Sequence, residues 1–213
     1  MKQDKTRKTR MILSALIFVV VFYAWITMMI NGEGSLQETG LRSLKYFTVD
    51  SNLLMGIAAL VLLLEDLAVQ RGRKSEVSAG AVRMCYAGTV SVMLTFLVTV
   101  LFLTRIYGLW VLFVGANFWM HMVVPLLSLF MFAKYVHDRR LDGQDTAVSL
   151  IPLMLYAVYY VGMILRYGLE DPRTDWYFFG FAGIRTLPLV LLIIFLVTLG
   201  TSLLLRKAVN RHG

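Results

Sequence analysis

Met11-Ile-Leu-Ser-Ala-Leu-Ile-Phe-Val-Val-Val-Phe-Tyr-Ala-Trp-Ile-Thr-Met-Met-Ile30 carries no charge, and Lys2, Lys5, Arg7, Lys8 and Arg10 stand just before it. A helix needs roughly 20 apolar residues to cross the hydrocarbon of a bilayer, and this run has that length. It is too long for the apolar part of a secretion signal, and no small-residue cleavage site follows it, so it is expected to remain as a membrane helix.

Working outward, five further runs of the same kind follow: Lys45–Asp66, Val82–Leu103, Leu109–Ala133, Ala147–Leu165 and Arg185–Leu205. The fold class expected is an all-α integral membrane bundle of six spans, forming one domain over 213 residues. Composition agrees. The chain is 58% apolar and only 16% charged, too few charges to cover the surface of an ordinary soluble domain. The charges fall between the runs.

Their distribution predicts orientation. Lys2, Lys5, Arg7, Lys8, Arg10, Arg71, Arg73, Lys74, Arg83, Lys134, Arg139, Arg140, Arg206, Lys207 and Arg211 would lie on one side, 15 in all, against 6 on the other (Arg42, Lys45, Arg105, Arg166, Arg173 and Arg185). Basic loops stay cytoplasmic, so both termini are expected there. The net charge of +8 then reflects topology and anionic lipid, and the bilayer, not nucleic acid, is the expected partner. Glu65 and Asp66 close the second run on that side and are expected to be solvated. Cys85, the single cysteine, excludes an internal disulfide and is expected to be a small packing residue.

Within the fourth run lies Gly115-Ala-Asn-Phe-Trp-Met-His121-Met-Val-Val-Pro125. An ionisable side chain in hydrocarbon is costly and points to a functional site, although a membrane histidine also serves as hydrogen-bonding glue between helices. His137, in a charged loop, and the penultimate His212 have no such setting. Asn117 stands one turn before His121 and shares its face. Pro125, one turn after, removes the donor that would bond the His121 carbonyl. Gly115 and Ala116 let another helix come close. A metal role is disfavoured, since zinc needs three or four ligands and no second histidine is in reach. No cofactor is expected.

The second run opens with Thr48-Val-Asp50-Ser51-Asn52. Helical spacing sets Thr48, Ser51 and Asn52 on one face and Asp50 about 150° away. A threonine in a membrane helix commonly bonds a carbonyl one turn back, but an acid and an amide have no such cheap solution. If Thr48 and His121 meet, the imidazole can take the hydroxyl proton, and Asn52 or Asn117 can donate to the oxyanion that follows. With these boundaries His121 is about 18 Å into its span and Thr48 is shallow, so a meeting requires the fourth helix to start further out or to tilt.

Other polar positions carry weaker signals. Thr89, Ser91, Thr95 and Thr99 stripe the third run as packing groups. Tyr156, Tyr159 and Tyr160 either line a cavity or pack. Arg105 and Arg166, at span ends, either snorkel or bind a carboxylate or phosphate. Between residues 167 and 183, Trp176, Tyr177, Phe178 and Phe179 read either as an interfacial aromatic belt or as a lid over a site.

Phe47-Thr48-Val-Asp-Ser-Asn52-Leu, His121-Met-Val-Val-Pro125 and Trp176-Tyr177-Phe178 occur in the order seen in a known family. In these pieces, whose spread covers most of the chain, the sequence resembles the androgen-induced protein and androgen-dependent TFPI-regulating protein family and its bacterial six-span relatives. The resemblance implies an intramembrane threonine hydrolase of fatty acid esters of hydroxy fatty acids, or of similar acyl esters, in a bacterial plasma (inner) membrane. It maps the nucleophile onto Thr48 and the base onto His121. Asp50, Ser51, Asn52 and Asn117 are expected as supporting or oxyanion residues, and Arg105, Tyr160, Arg166 and Trp176 as substrate-binding ones. An imidazole of ordinary pKa, about 6.5, would give activity that falls in mild acid. The alternative is a non-catalytic lipid-binding, transport or scaffold protein, in which Thr48 and His121 face apart and a polar path runs through the bundle.

Overall fold

The computed structural model describes residues 2–31, 38–171, 174–177, 179–180 and 183–211. His212, Arg173, Phe178 and most of the loop after the first span, all read above from sequence, lie outside them. The described residues form helices and connecting turns without a strand. Six helices are long and apolar enough to cross a membrane. They are α1 Lys2–Asn31, α2 Phe47–Gln70, α3 Ala79–Leu103, α4 Gly115–Tyr135, α5 Gly143–Tyr167 and α6 Leu187–Asn210. The chain is an all-α, multi-pass bundle, as its apolar runs predict.

The helices overrun those runs at one end of the bundle, because polar first turns are stabilised there by caps. Ser78 caps α3 by accepting the Ala81 N–H at 3.2 Å. Asp142 and Asp145 form a reciprocal capping box on α5. The largest departure is in α4. It starts at Gly115, not at Leu109: residues Leu109–Phe113 form a separate 3₁₀ turn. Gly108 (φ +80°) and Gly115 (φ +48°) bracket that turn in the left-handed region that glycine enters without steric cost.

Helix α3 is the core. Of its most apolar stretch 67% is buried, against 17% for α6, so α3 runs through the middle and α6 along the outside. Small residues let backbones close in. A Cβ on Gly88 would stand 3.0 Å from Met55 Cα, and one on Gly56 would stand 2.7 Å from Val21 Cγ1. Thr89, Ser91 and Thr95 bond back to carbonyls one turn earlier, at 2.8, 2.8 and 3.2 Å, which satisfies their hydroxyls within the helix. Cys85 is free and buried among apolar neighbours.

The basic end is locked by charge, and here one expectation fails. Asp66 is fully buried, not solvated: Arg10 Nε donates to its Oδ2 at 2.8 Å while the same guanidinium grips Asp138, joining α1, α2 and the loop after α4. Helical spacing carries Asp66 to the α1 side, whereas its neighbour Glu65 faces out, to Lys74 and the Ser78 N–H.

Candidate functional site

Helix α2 begins at Phe47, so Thr48 occupies its first turn at the end of the bundle opposite the charge lock. His121 lies six residues into α4, about 9 Å along the axis, half the depth expected when the helix is started at Leu109. That shorter α4 brings the two together. Thr48 Oγ1 lies 3.3 Å from His121 Nε2, and both residues are buried.

The other ring nitrogen fixes the chemistry. His121 Nδ1 lies 3.2 Å from the Asn117 carbonyl, which can only accept, so in the neutral ring Nδ1 carries the proton. Nε2 is then a lone-pair acceptor, and the Thr48 hydroxyl donates to it. This is the arrangement in which an imidazole can deprotonate an alcohol.

A break in the helix aims the ring. Residues Trp119–Val123 form a π turn in which the Val124 N–H bonds the Trp119 carbonyl. The next bond in that register would run from residue 125 to the Met120 carbonyl, but Pro125 has no N–H. Asn52 supplies it: its Nδ2 donates to the Met120 carbonyl at 3.1 Å and to the Thr48 carbonyl at 2.7 Å. Single-turn π bulges recur at functional sites, and this one carries His121. Asn52 is therefore a staple between α2 and α4. With both amide hydrogens committed it does not serve as the oxyanion donor expected of it.

Ser51 is also structural, bonding the Thr48 carbonyl at 3.1 Å and the Thr95 hydroxyl at 3.0 Å. The Asn117 side chain is wholly buried with neither amide atom hydrogen-bonded, and nothing in the structure explains it. Asp50 is not brought to the pair. It looks into a separate groove with Leu44, Pro152, Leu155 and Tyr159 on the outer side of α2 and α5.

Thr48 forms part of the wall of a narrow cavity, about 50 Å³ as measured with a water-sized sphere. Leu94, Val98, Leu103, Leu153, Leu191 and Ile194 make most of the remaining wall apolar. Tyr160 and Tyr156 line it, whereas Tyr159 turns out into the groove. Arg105 and Arg166 are exposed and do not reach the cavity, Arg166 lying over the Tyr167 ring. Trp176 packs outside the cavity wall, edge-on to Tyr160 and under the Lys45 ammonium, and donates from Nε1 to the Tyr156 hydroxyl at 2.9 Å.

The aromatic segment that reads from sequence as either a belt or a lid contributes to the wall of this cavity. Tyr177 and Phe179 both line it, their rings stacked with centroids 5.2 Å apart. Asp175 ties the segment down by accepting the Tyr160 hydroxyl and the N–H groups of Phe179 and Gly180, the latter two at 2.7 and 2.9 Å. It does so at φ +40°, a conformation that asparagine and aspartate tolerate best among side-chain-bearing residues. Gly180 packs closely in the same knot: a Cβ there would meet Leu169 Cδ2 at 2.6 Å and push that side chain aside. The aromatic count between 174 and 180 was the available signal, but it does not distinguish an outward ring from an inward one.

In comparisons with known proteins, no family model, no curated protein and no solved structure matches the chain. Any functional assignment therefore rests on the geometry and on the resemblance in its short motifs.

Proposed function

We propose that the chain is an intramembrane hydrolase of lipid esters, with Thr48 as nucleophile and His121 as general base and then acid. The observation that carries this reading is the 3.3 Å approach of the Thr48 hydroxyl to His121 Nε2, with the opposite ring nitrogen on a carbonyl and with Thr48 lining an apolar cavity.

In the reaction, Thr48 Oγ1 bonds to the ester carbonyl carbon as its proton passes to Nε2. The C–O bond to the leaving alcohol then breaks, and Nε2 returns the proton to that alkoxide. A water deprotonated by Nε2 attacks the resulting acyl-threonine, and the acid leaves as Thr48 is reprotonated. No cofactor is needed. An apolar cavity suits an acyl chain, and fatty acid esters of hydroxy fatty acids are the class that the motif resemblance suggests. The basic end would face the cytoplasm of a bacterial cell, with the site at the outer leaflet.

The test uses purified protein in lipid nanodiscs, with a fatty acid ester of a hydroxy fatty acid as substrate and an alkyl fluorophosphonate as probe. Wild type should hydrolyse the ester and be labelled on Thr48. Thr48→Ala should do neither, and His121→Ala should lose at least about a hundredfold in both rates. Equal labelling of wild type and Thr48→Ala removes the nucleophile assignment. Full turnover by His121→Ala removes the base.

A further inference from the structure

A threonine that attacks an ester needs donors for the oxyanion, and the expected ones are not free. Asn52 spends both amide hydrogens on main-chain carbonyls. Two of the three lid-side tyrosines are committed as well: Tyr156 donates to the Lys45 carbonyl at 2.6 Å, and Tyr160 to Asp175.

Tyr177 is different. It is 7% exposed, its ring is held between Phe179, Tyr160 and Tyr156, and its hydroxyl makes no hydrogen bond. That hydroxyl lies against the Thr48 side chain, the main-chain N–H groups of Thr48 and Phe47 and the Tyr156 hydroxyl, without bonding geometry to any of them. These two N–H groups belong to the first turn of a 24-residue helix, where no carbonyl one turn back can receive them. The first bonds into the turn come from Val49 and Asp50, both to the Tyr46 carbonyl. A helix start also carries partial positive charge. Three donor groups thus stand close to the nucleophile, and among the described residues none of them bonds a main-chain carbonyl.

We propose that the Tyr177 hydroxyl, together with the N–H groups of Phe47 and Thr48, is the oxyanion site of the ester hydrolase. This rests on the catalytic reading of Thr48. As Thr48 Oγ1 bonds to the carbonyl carbon, the carbonyl oxygen takes up the electron pair and accepts from these donors. It returns the pair when the C–O bond to the leaving alcohol breaks. Tyr177 keeps its proton throughout. Burial pushes its phenol up to about 12, so it remains a donor at physiological pH. Tyr177 is then a catalytic residue that touches the reacting oxygen.

Tyr177→Phe in nanodiscs tests this, read against a dodecyl trifluoromethyl ketone, which adds to Thr48 as an alkoxide, and against lauric acid, which does not. The expected result is a fall in kcat of about a hundredfold with KM nearly unchanged. Ketone affinity should drop by a similar factor, while lauric acid affinity and the melting temperature are retained. Unchanged kcat, or equal losses for ketone and acid, overturns the proposal. If Tyr177→Phe does not fold, 3,5-difluorotyrosine at position 177 replaces it: tighter ketone binding supports the site, and unaltered binding overturns it. The two levels separate cleanly. Thr48→Ala dead with Tyr177→Phe fully active defeats only the oxyanion site, whereas Thr48→Ala fully active defeats the hydrolase reading and this proposal with it.

Discussion

Thr48 and His121 meet across two helices because a third side chain holds them there. Asn52 bonds main-chain carbonyls on both sides; its removal strands the buried Met120 carbonyl, while the Thr48 carbonyl keeps the Ser51 hydroxyl. Asn52→Leu, similar in volume, should cost about 1–3 kcal/mol, measured by denaturation in detergent. It should also slow labelling at Thr48 more than a loss of stability explains. Unchanged labelling would mean that the staple does not set the distance. At this scale the sequence was partly legible. The common face of Thr48, Ser51 and Asn52, and the opposed Asp50, follow from 100° per residue. The α4 partner of Asn52 does not, because it lies 68 residues away in a register that local spacing cannot show.

At the scale of the element, two devices shape the site. The first is the π turn of α4, maintained in part by an imino acid. Pro125→Ala restores an N–H at position 125 and lets the regular register close, rotating His121 away from Thr48. The expected outcome is unchanged or raised thermal stability with a labelling rate reduced by about tenfold or more, since small displacements of reacting groups are costly. A rate equal to wild type would show the bulge to be incidental. The second is the lid tied by Asp175. Asp175→Ala removes the acceptor for three donors and should raise KM for the ester more than it lowers kcat, read from steady-state kinetics; a pure kcat loss would place Asp175 in the chemistry instead. The start of α4 was hidden for a physical reason. Leu109–Val114 is as apolar as the helix that follows, so hydropathy runs through the boundary, and only the conformations of Gly108 and Gly115 mark it. The inward turn of Tyr177 was hidden likewise, since belts and lids draw on the same aromatic residues.

Across the whole molecule, the two ends are built differently. One is fastened by buried ion pairs, the other by aromatic packing around the cavity. Arg10→Met would leave Asp138 without its guanidinium and Asp66 with only that of Arg7, 3.8 Å away, and should destabilise the bundle by about 3 kcal/mol. Thr48 labelling in the surviving folded protein should be unaffected, and altered labelling would reveal coupling between the ends. Orientation is tested in a Cys85→Ala background with single cysteines at Arg42 and Arg73. An impermeant maleimide should label position 42 from outside intact spheroplasts and position 73 only after lysis; the reverse pattern inverts the topology. The number of spans was plain from apolar runs alone. Which helix is central was not, because mean hydropathies of 2.0 for α3 and 2.6 for α6 mark both as spans without saying what surrounds them.

Behind the His121 ring stands a peptide carbonyl, where many serine hydrolases place a carboxylate. A neutral dipole does less than an anion to stabilise an imidazolium. The cation formed on the proposed path is therefore short-lived, balanced chiefly by the negative oxygen born beside it. Such a couple suffices to expel an alkoxide. It falls short for amines, whose nitrogen must be protonated before it can depart, so N-acyl lipids of equal chain length would pass through the same cavity uncut.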